Sequence, residues 1–276
     1  MNIDKMLDKE ATRVSKEYAG MIALPTVGLA IVVFVAYLCV LFLFANDYLT
    51  PVISTLLLGG LTFASYTPMH EAVHGNIAGN NKRYKWLDKV IGLSMSPLIS
   101  IPFNSHRNEH LAHHRHTNAE EDPDVHIQHL FRSFEDFLKS TLKVIKTQNT
   151  YVMNNHTRLE ISLSIVWRLL FVLNTGLISI PVLFFGWFSG AFLTIYLFSH
   201  LPHKPYKDVV RWKNTNIQLF SIKWLENLMF QQNLHGIHHL FPRVPFYNYR
   251  KVFEKLEPTM RKKETPIINM FNRRPL

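Results

Sequence analysis

Apolar and polar positions alternate along this chain in long blocks. Residues 1–19 are polar and charged and read as a short helix or tail. Met21–Ala45 is almost wholly apolar, with Pro25 near its start. That length can cross a bilayer, which takes roughly 20 apolar residues. After the polar turn Asn46-Asp47-Tyr48, Pro51–Met69 forms a second apolar run, weakened by Gly59, Gly60 and hydroxyl residues, that leads straight into His70. Leu87–Phe103 is too short and too broken to span and reads as an interfacial or partly buried segment. Phe131–Asn155 sets Phe134, Phe137, Leu138, Leu142 and Ile145 at helical spacing among Lys and Glu, the pattern of a surface amphipathic helix. Ile161–Ser199 is long enough for two spans, with a turn either near Asn174–Ser179 or at Gly186–Gly190. Arg168 lies near the entry of the first of these, where it can snorkel back to the headgroups. From Lys204 to Leu276 no run is long enough to span.

This pattern predicts an all-α integral membrane protein. Four transmembrane helices, about 21–45, 51–69, 161–178 and 180–200, pair in two hairpins. Residues 70–160 and 201–276 form a helical cap on the side where the chain begins. The 276 residues act as a single domain.

Composition sharpens this reading. The chain is 47% hydrophobic and only 18% charged, against about a quarter charged in soluble domains. The net charge is +10, yet no Lys or Arg occurs from Met21 to Asn81 or from Leu169 to His203. A nucleic-acid binder would not leave such gaps, so no nucleic-acid partner is expected. The positive-inside bias of membrane proteins explains them, and it places both termini and the cap in the cytoplasm. The first residues lack the short apolar core of a secretory signal. Cys39 is the only cysteine, which rules out an intrachain disulfide, a thiolate zinc site and an iron–sulfur cluster. It reads as a small buried hydrophobe.

Histidines carry the chemistry. His70 and His74 are one helical turn apart and can reach one metal. His110, His113 and His114 follow H-x-x-H-H, and His235, His238 and His239 repeat it. Positions i, i+3 and i+4 share one helix face, so each triplet can present its ligands to one locus. These eight histidines exceed the need of one tetrahedral zinc and suit two metal ions. Imidazole suits iron, copper, nickel and zinc, and iron fits best if the chemistry uses O2. His106 precedes His110 by one turn and is a ligand or a support for one. His116, His126, His129 and His156 read as surface or hydrogen-bonding side chains.

The three histidine boxes resemble those of the membrane fatty-acid desaturase superfamily, which includes lipid hydroxylases and carotenoid ketolases. The likeness runs from about Met69 to Pro258. HLAHHRHTN and NLHGIHHLFPRVPFYNY, with Thr117, Asn118, Phe241, Pro242 and Pro245, are similar to acyl desaturases. EEDPDVH and LPHKP are similar to the ketolases. The resemblance implies a four-span fold whose cytoplasmic cap holds a di-iron centre, two Fe ions that use O2 as co-substrate. It also implies a ninth histidine ligand just after the fourth span. His203 is favoured over His200. No catalytic side chain is expected beyond the metal centre. Asp122 and Asp124 orient a ligand histidine or else open a turn. Glu71 and Glu109 sit beside ligands as supports or solvated acids, and Asn233 is a further supporting candidate beside the third box.

No ordinary acid or base attacks an unactivated C–H bond, so a metal oxidant is needed. Removal of two hydrogens gives an alkene, and return of a hydroxyl gives an alcohol that a second oxidation turns into a ketone. The chain carries no redox module of its own, so electrons come from an external donor, a ferredoxin or similar protein, on the basic cytoplasmic face. The leading expectation is a fatty-acyl desaturase or hydroxylase acting on a lipid. A carotenoid (β-carotene) ketolase or hydroxylase is the alternative. A zinc-dependent membrane hydrolase is remote, because it seldom needs so many imidazoles. A metal transporter is disfavoured by the lack of an ionisable ladder through the spans.

Overall fold

The computed structural model describes residues 3–140, 142 and 154–276. The first helix, α1 (Ile3–Glu17), is followed by two long apolar helices, α2 (Leu24–Ala45) and α3 (Pro51–Val73). Prolines at the first turns of α2 and α3 cost no hydrogen bond there. Thr50 caps α3 by accepting from the backbone of Ile53. Two further helices, α4 (Lys85–Ile99) and α5 (Phe103–His116), form a sharp hairpin. Then come α6 (Asn155–Thr175) and α7 (Ser179–His203).

Among the described residues, three helices, α2, α3 and α7, are long and apolar enough to cross a membrane. The charges of Arg158, Glu160 and Arg168 set α6 apart from them. The turn joining α6 to α7 lies at Gly176, in the first of the two predicted places. Gly186 and Gly190 sit within α7 instead. A Cβ on Gly190 would lie 2.5 Å from the carbonyl oxygen of Gly59, and one on Gly59 would lie 2.4 Å from Ser189 Oγ. Small residues on both faces therefore let α3 and α7 touch backbone to backbone, which is how helices associate where lipid removes the hydrophobic drive. Gly59, read from sequence as a weakness of α3, is the means of its packing.

Outward faces of these helices are apolar: Ile31, Val32 and Phe42 of α2, Leu163 and Leu170 of α6, and Phe184 and Phe185 of α7 are all exposed. Cys39 belongs to this outward face and is exposed, contrary to the buried position expected for it. α4 is half-buried as predicted, with Ile91, Met95, Leu98 and Ile99 in the main core. Of the amphipathic helix predicted over Phe131–Asn155, the helical residues 134–140 are described, with Phe134 and Leu138 exposed. Ile145 lies outside the described residues.

A second core gathers the C-terminal segments. The short helix α8 (His235–Leu240) and the amphipathic helix α9 (Tyr249–Lys262) pack with strands β1 (Ile217–Leu219) and β2 (Ile267–Asn269). The strands pair in parallel, Ile217 against Ile267, so the chain is not wholly helical as expected. Tyr249, Val252, Phe253, Leu256 and Met260 form the buried stripe of α9 at the 3.6-residue period. Ala11 and Val14 of α1 pack into the same core, and Lys263 bridges to Asp4 and Asp8.

Candidate metal centre

Four helix ends converge between the two cores. α3 delivers His70 in its last turn and His74 as its cap. α5 delivers His106, His110, His113 and His114, α7 ends on His203, and α8 carries His235, His238 and His239. Arg243 fixes the end of α3 by donating to the carbonyls of His74 and Gly75. Asn76 donates to the carbonyl of Pro242 at 3.0 Å. The Phe-Pro-Arg segment after the third box is thus the brace between the first and third histidine segments.

The imidazoles fall into two groups. His70, His74, His110, His114 and His238 place one ring nitrogen each within 4.8 Å of one another. His113, His203 and His239 do the same beside them. His235 belongs to neither group by that measure, but its Nε2 is 3.2 Å from Nε2 of His239.

The nitrogens are arranged in a way that hydrogen bonding alone cannot satisfy. Nε2 of His110 is 2.9 Å from that of His70 and 3.0 Å from that of His114, and Nε2 of His114 is also 2.8 Å from that of His238. A neutral imidazole nitrogen offers one proton or one lone pair, never both. The two middle nitrogens therefore cannot serve two neighbours each. Both nitrogens of His203, Nε2 of His74 and Nδ1 of His70 and His235 are buried without any protein partner. Unpaired buried nitrogens are costly, and cations placed between these lone pairs would satisfy them. The residues present fit metal ions.

Electrostatics keep the lone pairs available. Burial pushes the imidazoles of His74, His110, His114, His238 and His239 well below the usual histidine range, and that of His235 down to about 3. Neighbouring imidazoles add to the effect, because several cations cannot share one small volume. His113 goes the other way. Burial opposes its charge, but the hydrogen bond to Asp122 and the charges of Asp124 and Asp122 outweigh it.

Asp122 lies with Oδ1 2.8 Å from Nδ1 of His113 and accepts from the backbone of Asn118 and Asp124. That geometry fixes the His113 tautomer and leaves Nε2 toward His203 and His239. Asp124 stands farther off, 3.8 Å from the same nitrogen. Glu71 is buried beside Asn76. Glu109 is bonded to Ser105.

Of the two candidates at the end of α7, His203 joins a histidine group and His200 does not. α7 widens into a π-helical turn over Ile195–His200. Pro202 accounts for the widening, since its ring would clash with the carbonyl four residues back in a regular helix. His200 is left against Phe131 and Tyr196, hydrogen-bonded to Tyr206. His106 is also apart from both groups, its Nε2 3.4 Å from the hydroxyl of Tyr66. The Asn233 amide donates to the carbonyl of Gln218 and ties the third box to β1. His116 and His156 are exposed, and His126 bonds to the carbonyl of Pro123.

Two contacts were not legible in advance. The Tyr249 hydroxyl is hydrogen-bonded to Nδ1 of His238 at 3.1 Å, and the Thr117 hydroxyl lies 3.3 Å from Nδ1 of His239. Both residues stand in the segments that carry the boxes, but neither has a spacing that signals contact with a histidine.

The fatty acid desaturase family model matches residues 46–270. The chain is similar to the sn-1 oleoyl-lipid 12-desaturase of Picosynechococcus sp., at 25% identity over 225 residues, 68% of this chain and 63% of that protein. It is also similar to the sn-1 oleoyl-lipid 12-desaturase of Anabaena variabilis, at 25% over 226 residues, again 68% and 63%. A third relative is the sn-2 acyl-lipid omega-3 desaturase (ferredoxin), chloroplastic, of Helianthus annuus, at 23% over 248 residues, 74% of this chain and 55% of that protein. The chain thus spans less than two thirds of the length of these relatives.

Proposed function

Because the chain belongs to the fatty acid desaturase family, we propose that it is an O2-dependent membrane desaturase of a fatty-acyl lipid. The observation that carries this reading is the convergence of histidines from three distant segments and the end of α7 into two adjoining groups. His70, His74, His110, His114 and His238 would hold one iron, and His113, His203 and His239, with His235 alongside, the other. Two iron ions there would supply the oxidising power, drawn from O2, that an unactivated acyl C–H bond demands.

The chain's own residues do the rest. Asp122 accepts from Nδ1 of His113, and Tyr249 accepts from Nδ1 of His238, so that each presents Nε2 inward. Burial keeps the other imidazoles neutral. Most of the histidines lie buried between the two cores.

Removing two hydrogens from an acyl chain while O2 becomes two waters requires two further electrons and two protons from the solvent. An external donor supplies the electrons, and the ferredoxin in the name of the Helianthus annuus relative supports a donor of that kind. In this reading α2, α3, α6 and α7 are four spans of a single domain, with both termini and the histidines on the cytoplasmic side. The names of the relatives favour an acyl lipid over a carotenoid.

The test is lipid extraction and mass spectrometry after expression of the chain, with a His113→Ala/His238→Ala control. Acyl chains lighter by two hydrogens, absent in the control, are expected. A gain of one oxygen instead would make the protein a hydroxylase. No metal-dependent change in acyl lipids would overturn the reading.

A further inference from the structure

The α4–α5 hairpin turns back at the depth of the middle of α3 and α7, and its turn is completed almost wholly by side chains of other helices. A helix leaves its last four carbonyls without intrahelical donors. In α4 these are Ser96, Pro97, Leu98 and Ile99. Ser96 O accepts from the backbone of Ser100 and Ile101. Pro97 O accepts from Arg168 of α6 at 2.8 Å, and Arg168 also donates to the hydroxyl of Ser100. Leu98 O faces the hydroxyl of Thr62 of α3 at 3.4 Å, and Ile99 O accepts from the indole of Trp187 of α7 at 2.8 Å. Irregular backbone at such depth needs this kind of satisfaction by protein.

The start of α5 has the opposite need, for acceptors. Its cap residue is Pro102, which has no side-chain acceptor. Glu160 of α6 takes that place: Oε2 accepts from the backbone N–H of Phe103 at 2.5 Å, and Oε1 from the Asn104 amide at 2.6 Å and its backbone N–H at 3.4 Å. A carboxylate there also meets the positive end of the helix dipole. The hydrogen bonds of Glu160 go to Ser96, Phe103 and Asn104, not to a histidine. Yet α5 carries the second box, with His110 and His114 about 10–17 Å along the helix from Phe103. A tilt of a few degrees at the held end moves those imidazoles by about 1 Å over that lever, and metal ligands tolerate only a few tenths of an ångström.

We propose that Glu160 is a positioning residue for the histidine centre, a cap lent by α6 that sets the angle of α5 against α3 and α8. This rests on the metal-binding reading of the histidines above.

The full chain, purified in detergent and stripped of metal, is titrated with Co2+, and the ligand-field absorption of the ion is followed alongside the melting of the metal-free protein. Glu160→Gln puts an amide donor against the donors of Asn104. It is expected to weaken Co2+ binding about tenfold and to change the band shape. Adding Pro102→Asp to the same chain gives α5 a cap of its own and is expected to restore most of both. A folded Glu160→Gln protein with the affinity and spectrum of the parent would overturn the proposal, as would a lower melting point with unchanged metal binding. If Glu160→Gln does not fold, Asn104→Ala, which removes a donor that Glu160 accepts from, replaces it with the same expectation and the same overturning result. A parent chain that takes up no Co2+ sinks the metal reading itself, and this inference with it.

Discussion

The second and third histidine boxes share one spacing, H-x-x-H-H, and are held in unlike ways. α8 is six residues long and lies within a core: His235, Gly236, Ile237, His238 and Leu240 are all buried, with β1 and α9 pressed against it. α5 is fourteen residues long and less enclosed: Phe103, Ser105, His110 and His113 are buried, Arg107, Asn108, Arg115 and His116 are exposed, and the other six residues are half-buried. Packing fixes the first. The second packs through Phe103 and Leu111 and relies in addition on polar contacts, from Glu160 at one end and Asp122 at the other. One motif can therefore be placed by shape or by hydrogen bonds, and the two placements should fail differently.

The largest effect tests what they have in common. His238 of α8 and His114 of α5 lie with Nε2 atoms 2.8 Å apart in the same group. His238→Ala should bring desaturated lipid to background and lower the bound metal, as read by mass spectrometry and metal analysis. Next comes Asp122→Asn, which removes the charge that orients His113. Metal affinity should fall about ten- to hundredfold, measured by competition with a chelator, while the metal-free protein loses less in melting temperature than the packing variant that follows.

The reverse is expected on the packed side. A Cβ on Gly236 would lie 2.9 Å from Ile217 Cδ1 and 3.2 Å from Thr215 O. Gly236→Ala should destabilise the chain by about 1–2 kcal/mol through overpacking, seen as a lower melting temperature even without metal. Arg107→Ala on the open face of α5 should stay within about 0.5 kcal/mol. Smallest among the histidine contacts is Tyr249→Phe, which deletes the bond to His238 and should cost about 1 kcal/mol or less. A melting loss for Asp122→Asn as large as that for Gly236→Ala would erase the distinction.

What could be read from sequence follows the same division. The boxes were legible because i, i+3 and i+4 place side chains on one helix face whatever surrounds them. The apolar runs were legible because length and hydropathy are local quantities. Glu160 and Arg168 were not. Glu160 carries no sequence signal of its role, and Arg168 reads as reaching out to headgroups, because besides the nearby Ser164 its partners are Pro97 O and Ser100 Oγ, 71 and 68 residues away. Backbone carbonyls carry no residue type to signal the pairing. Asp122 was singled out from its position beside Pro123, and its bond to His113 is a short-range contact across nine residues. The choice of His203 over His200 came from family likeness. Its physical cause, the widened turn before Pro202, depends on local helix geometry that spacing alone does not convey. Two three-residue strands are too short to leave an alternating pattern.

The closeness of His114 and His238 also has a bearing on time. The two imidazoles are 124 residues apart along the chain. At about 5–20 residues per second of synthesis, the ribosome needs roughly 6–25 s to make the second after the first. Throughout that interval the first two boxes have been made while the third, and the helix α9 that backs it, do not yet exist. A nascent chain cannot close either histidine group until most of its length has been made, so any metal held there would load at the end of biogenesis, after the helices of the first core have been made.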